Sequence, residues 1–154
     1  MMHVTGPDDG EAYWFGDARV RIAARASTQG TAVIEMCLPA GSRAPLHVHD
    51  GLDDSFFILE GRLTVWFDDE TTVAGPGAYV QLPRGVPHSI LAGEGPVRAL
   101  LIHDNDEFID FVEAVGTPVG DATTAPPLAP ERVARAAEAH GQHVLGPPPF
   151  ETTN

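Results

Sequence analysis

At 154 residues the chain has the size of one domain with room for a substantial core. Its 22 acidic against 9 basic residues leave a net charge of −13, which repels nucleic acid and anionic lipid and argues against both as partners. With 16 glycines and 14 prolines beside 43% apolar residues, many short elements joined by tight turns are expected. The single cysteine, Cys37, lies in an apolar run, allows no intrachain disulfide and reads as a small buried hydrophobe.

Residues 1–10 are polar and acidic and read as a flexible N-terminal arm. They lack the basic start and apolar run of a secretory signal, and no stretch is long enough to span a bilayer, so a cytoplasmic location is expected. Residues 13–15, 19–24, 31–38, 46–49, 55–59, 63–67, 71–74, 78–82, 88–92 and 97–103 then read as strands. Turn formers separate them, among them Pro39-Ala40-Gly41, Gly75-Pro76-Gly77 and Pro83-Arg84-Gly85. Strands of this length and spacing predict an all-β sandwich or barrel. The spacing also predicts a hairpin over 55–67 turning at Glu60-Gly61, with glycine free to take a positive φ.

After His103 the period changes. Asn105 is placed to cap a helix whose apolar stripe is Phe108, Phe111, Val112 and Val115, with Asp106 and Glu107 in its first turn and Gly116 at its end. The stripe reads as an outer packing face. Residues 117–130, carrying Pro118, Pro126, Pro127 and Pro130, read as an extended surface linker, and a second short helix is predicted from Pro130 to about His140. The organisation expected is an arm over 1–10, a β-barrel over 11–103 and a helical, Pro-rich extension over 104–154 packed outside as part of the same domain.

Two of the 7 histidines, His47 and His49, are two apart on a predicted strand and point to one face. Asp54 opens the next strand, and its carboxylate can lie beside them; the neighbouring Asp53 faces the other way. His88 is delivered to the start of a further strand by Pro83-Arg84-Gly85-Val86-Pro87. Three imidazoles and a carboxylate form a mixed nitrogen and oxygen set that suits one divalent transition metal ion, Fe, Ni, Mn, Co, Cu or Zn, better than Ca or Mg. His3, His140 and His143 read as solvated, and His103 as a strand end that caps or packs.

These residues fall into a double motif. The first half reads Gly41, five residues, His47-Val48-His49, four residues, Asp54, six residues, Gly61; the second reads Gly77, five residues, Pro83-Arg84-Gly85, two residues, His88, three residues, Ala92. The pair resembles the two cupin motifs in the glycines, the proline and all three histidines. It departs from them at Asp54, where the motif has Glu, and at Ala92, where it has Asn. Aspartate is one methylene shorter, a loss of about 1.5 Å of reach. Tyr13-Trp14-Phe15-Gly16-Asp17 and the Pro-rich tail are similar to bacterial single-domain cupins of the quercetin-2,3-dioxygenase-like group.

The resemblance implies a jelly-roll β-barrel holding the metal on His47, His49, His88 and Asp54, with Asp54 as ligand, general base or both. Inward parity makes Phe56, Ile58 and Ile90 candidate walls of a substrate pocket. The activity implied is that of a dioxygenase acting on a small aromatic, flavonol-like or enolisable substrate, with O₂ as the second substrate. The same ligand set elsewhere among cupins serves non-redox cyclases, isomerases and lyases, and non-catalytic cupins that bind small ligands. A homodimer, with the strand at 13–15 as a contact, is the family expectation.

Overall fold

The computed structural model describes residues 1–150. Its strands are β1 (Ala12–Phe15), β2 (Ala18–Ala24), β3 (Ala32–Leu38), β4 (Leu46–His49), β5 (Asp54–Glu60), β6 (Leu63–Phe67), β7 (Glu70–Ala74), β8 (Tyr79–Leu82), β9 (His88–Ala92), β10 (Val97–His103), β11 (Thr117–Pro118) and β12 (Gln142–Gly146); the helices are α1 (Ala26–Gln29), α2 (Glu107–Val115) and α3 (Pro130–Ala139). Every strand run read from the sequence is present, with ends shifted by a residue at most. No described helix is long and apolar enough to cross a membrane.

The strands form two antiparallel sheets, one in the order β11-β1-β2-β3-β10-β5-β8 and the other β12-β4-β9-β6-β7. Among the described residues no ladder joins them, so the all-β jelly roll is a sandwich and not a closed barrel. Period-2 alternation sends one face of each strand inward. Along β10 this buries Val97, Ala99, Leu101 and His103 and turns the residues between them outward. Val97, Ala99 and Leu101 join Ile34 of β3, Phe56 and Ile58 of β5, Leu63 and Val65 of β6 and Ile109 and Val112 of α2 in one core.

The predicted hairpin over 55–67 does not form. β5 pairs with β10 and β8, whereas β6 pairs with β7 and β9, so Glu60-Gly61 is a corner between sheets. Alternation is the same in a hairpin and across a corner, and only the distant partners decide between them. Gly61 sits at φ +83°, and a Cβ there would stand 2.1 Å from the Pro96 carbonyl oxygen.

Four further features differ from the expected course. Part of the linker is structured: β11 pairs with the outer edge of β1, and Trp14 Nε1 donates to the Ala122 carbonyl at 2.9 Å. Residues 142–146, read as tail, form β12 and pair with β4, the strand that carries His47 and His49. The first residues run beside β2, where Thr5 donates to the Ala23 carbonyl at 2.8 Å and Arg21 to the Gly6 carbonyl at 3.1 Å. α2 starts at Glu107, so Asp106 and not Asn105 holds the cap position, without a side-chain cap bond; the Asn105 side chain accepts from the Glu107 N–H at 3.0 Å, and its amide nitrogen donates to the Gly51 carbonyl at 2.9 Å and ties the start of α2 to the loop between β4 and β5.

Candidate metal centre

His47 and His49 project inward from β4, and strand pairing sets His88 of β9 directly across from His47. The turn of the second motif is fastened at two points: the Gly85 N–H donates to the His49 carbonyl at 2.7 Å, and the Arg84 N–H donates to Asp53 Oδ1 at 2.9 Å. Asp53 therefore faces outward and holds that turn. Asp54 enters from the other sheet, through β5, and points at the imidazoles. One ligand atom from each of His47, His49, Asp54 and His88 lies within 4.8 Å of the other three.

The hydrogen bonds around the rings fit a cation. His47 Nδ1 faces the Pro45 carbonyl at 2.7 Å and His88 Nδ1 faces the Val86 carbonyl at 3.2 Å. A carbonyl only accepts, so each Nδ1 carries the proton and each Nε2 presents a lone pair, the orientation seen in metal-ligating histidines. His49 Nε2 is buried with no hydrogen-bond partner among the described residues. Three lone-pair donors and a carboxylate converging in a buried site are satisfied together by one metal ion and poorly by one another. Burial, reinforced by His88 and His49, pushes the His47 imidazole down to about 3, so it stays neutral and able to ligate. Burial pushes the Asp54 carboxyl up, but the imidazoles around it, His103 first, more than offset this and hold it well below the ordinary carboxylate range.

His47, His49 and Asp54 open onto a cavity of about 220 Å³. Its walls are mostly apolar: Phe15, Met36, Ile90 and Leu101 from the sheets, Phe108 and Phe111 from α2, and Leu128, Val133 and Val144 from the C-terminal segment. Of the three candidate wall residues, Ile90 lines this cavity, while Phe56 and Ile58 lie in the core at 4% and 0% exposure. Two of the helix-stripe residues, Phe108 and Phe111, line the cavity as well as packing the helix.

Sequence reasoning passed over two residues beside the cluster. His103 is buried, with Nε2 3.1 Å from Asp54 Oδ1. Its signal was its parity with Val97, Ala99 and Leu101, which put it on the inward face of β10. Gln142 pairs with His49 across β12 and β4 and lines the cavity; no local pattern marked that strand. His3, His140 and His143 do not join the cluster, and His143 faces Asp50 at 2.5 Å.

Two packed antiparallel sheets with a His/His/Asp/His cluster beside an apolar cavity define a jelly-roll protein whose cluster is compatible with a metal ion. Residues 34–103, a little under half of the chain, match the cupin domain family. It is 28% identical over 144 residues to quercetin 2,3-dioxygenase of Bacillus subtilis (strain 168), a match that takes in 90% of this chain and 42% of that protein. It is 34% identical over 56 residues to an uncharacterized protein of Methanocaldococcus jannaschii, covering 36% of this chain and 45% of that one. The chain thus spans less than half the length of the curated relatives it matches. Among solved structures it is similar in fold to the polyketide cyclase RemF from Streptomyces resistomycificus, with TM-score 0.59, 22% identity and coverage of 67% of this chain and 79% of that one. KdgF from Halomonas sp. is similar at TM-score 0.59 and 16% identity, covering 67% of this chain and 92% of that one.

Proposed function

We propose that the protein is a metal-dependent oxygenase acting on a small aromatic or enolisable oxygenated compound, with O₂ as second substrate. The observation that carries this reading is the convergence of three imidazoles and a carboxylate, of which His47, His49 and Asp54 line an apolar cavity. The similarity to a quercetin 2,3-dioxygenase over nearly the whole chain supports it. His47, His49, His88 and Asp54 would hold the ion. When bound there, a divalent transition metal supplies a Lewis acid that acidifies a phenol or enol hydroxyl and, if redox-active, access to oxygen chemistry.

The protein's own groups supply the surroundings. Phe15, Phe108 and Phe111 offer aromatic edges and faces to a flat substrate and exclude water from the cavity. The Gln142 amide, beside His49, can hydrogen-bond a substrate carbonyl or hydroxyl. Asp54 is held ionised, with an imidazole facing each oxygen, which favours ligation over a role as free base. The cavity, at about 220 Å³, lies below the roughly 300–1,000 Å³ typical of drug-sized ligands, which favours a compact substrate over an extended one.

The test is elemental analysis of the purified protein followed by oxygen-electrode assays on a panel of small phenols and 1,3-dicarbonyl compounds. Iron, nickel, copper or manganese with substrate-dependent O₂ uptake is the expected result. Stoichiometric zinc, or turnover that proceeds equally under strict anaerobiosis, would replace this reading with a non-redox cyclase, isomerase or lyase. The same ligand set suits that chemistry, and the fold shared with a polyketide cyclase is compatible with it. Tight binding of a phenol without turnover in the metal-loaded protein would leave a small-ligand-binding cupin.

A further inference from the structure

Asp54 divides its two oxygens between different neighbours. Oδ2 faces His88 Nε2 at 3.2 Å and His49 Nε2 at 3.6 Å, whereas Oδ1 faces His103 Nε2 at 3.1 Å. His103 is 3% exposed and is not among the residues whose ligand atoms converge. Its place follows from strand register. β10 and β5 pair Ala99 with Ile58, Leu100 with Phe57 and Leu101 with Phe56. Carried two residues further, the same register sets His103 opposite Asp54, and residues directly opposite on neighbouring strands share a face within side-chain reach.

Packing alone does not account for a histidine here. Its Nδ1 is buried with no hydrogen-bond partner among the described residues, a desolvation cost that a leucine of similar size would avoid. The ring's hydrogen bond goes to Asp54, and its remaining aromatic contact is edge-on to Phe108, with centroids 6.1 Å apart. A carboxylate accepts, so His103 donates from Nε2.

We infer that His103 is a positioning residue for Asp54: it holds Oδ1 and so commits the aspartate to offering Oδ2 alone to the ion. This rests on the metal-centre reading above. It also gives the departure from Glu to Asp at position 54 a physical counterpart, since a shorter acid is steered by a donor on the adjacent strand. Ligating carboxylates held in this way lose metal affinity when the outer partner is removed, by about 10–100-fold.

The experiment is titration of chelator-stripped protein with Co²⁺, read by affinity and by the visible absorption of the bound ion. His103→Leu is expected to weaken Co²⁺ binding by about 10–100-fold and to change the spectrum. His103→Gln, whose amide nitrogen reaches about as far as Nε2, is expected to restore most of the affinity. In an Asp54→Ala background, His103→Leu is expected to cause no further loss. Wild-type affinity in His103→Leu, or an equal loss with and without Asp54, would overturn the inference while leaving the metal centre standing. Failure of the wild type to bind Co²⁺ would overturn the centre and the inference together. Should His103→Leu not fold, His103→Gln and His103→Asn decide: the shorter Asn amide is expected to bind Co²⁺ more weakly than Gln, and equal affinities would overturn the assignment.

Discussion

Asp53 and Asp54 are adjacent acids with opposite duties. Asp53 faces solvent and accepts from the Arg84 N–H, while Asp54 turns inward to the histidines. Asp54→Ala is therefore expected to lower the metal content of purified protein at least tenfold, whereas Asp53→Asn, which keeps an acceptor for Arg84, leaves it unchanged. Elemental analysis of the two variants checks this, and equal metal in wild type and Asp54→Ala would remove Asp54 from the ligand set. A second acid matters to folding. Glu35 is buried between Arg21, at 3.1 Å, and Arg98, at 2.7 Å. Burial pushes its carboxyl up, but the bonds from Arg98 and Arg21 outweigh this and set it below the ordinary value. A carboxyl lowered in the folded state stabilises above its unfolded value, about 4.3, and that contribution is lost as pH falls through the folded value. Glu35→Gln should cost about 3 kcal/mol near neutral pH and flatten the acid limb of stability, as read from urea midpoints over a pH series. A parallel acid limb in wild type and variant would show that this carboxylate does not set it.

Corners and edges decide how the strands are used. The Glu60-Gly61 corner carries the chain from one sheet to the other beneath the Pro96 carbonyl. Gly61→Ala would meet both a positive φ and a backbone atom 2.1 Å away, and is expected to destabilise by more than about 2 kcal/mol. Gly95 has no atom within 4 Å of a built Cβ and no positive φ, so Gly95→Ala should stay within about 0.5 kcal/mol of wild type. Chemical denaturation of the pair measures the difference, and similar midpoints would contradict the corner geometry. At the other edge, β12 covers β4 and brings Gln142 and Val144 to the cavity. The segment after residue 103, outside the stretch that matches the family, thus builds much of the pocket wall.

For the whole molecule, a metal ion held by the proposed ligands would be linked to folding, because His47, His49 and His88 come from β4 and β9 of one sheet and Asp54 from β5 of the other. An ion that binds only the folded state stabilises it by about 2.7 kcal/mol at a free concentration 100 times its dissociation constant. For a chain of this size that shifts Tm on the order of 5–10 °C. Chelation is expected to lower Tm by such an amount, and re-addition of the native ion to restore it. A melting temperature indifferent to chelator and to every metal of the first transition row would remove the cation from the account of this pocket.

His47, His49, His88 and Asp54 could be named before any coordinates, because strand parity and turn residues are local properties carried by neighbours in the chain. The strand runs, the inward face of β4 and the outward turn of Asp53 were legible for the same reason. Local pattern could not say that β5 and β6 part at Gly61 into different sheets, that β12 returns to lie beside β4, or that His103 meets Asp54 across β10 and β5. Alternation tells which way a side chain points and is silent about which strand lies alongside. Pairing between residues as far apart as 54 and 103 depends on how all the sheets bury their apolar faces at once, and only the tertiary structure decided it.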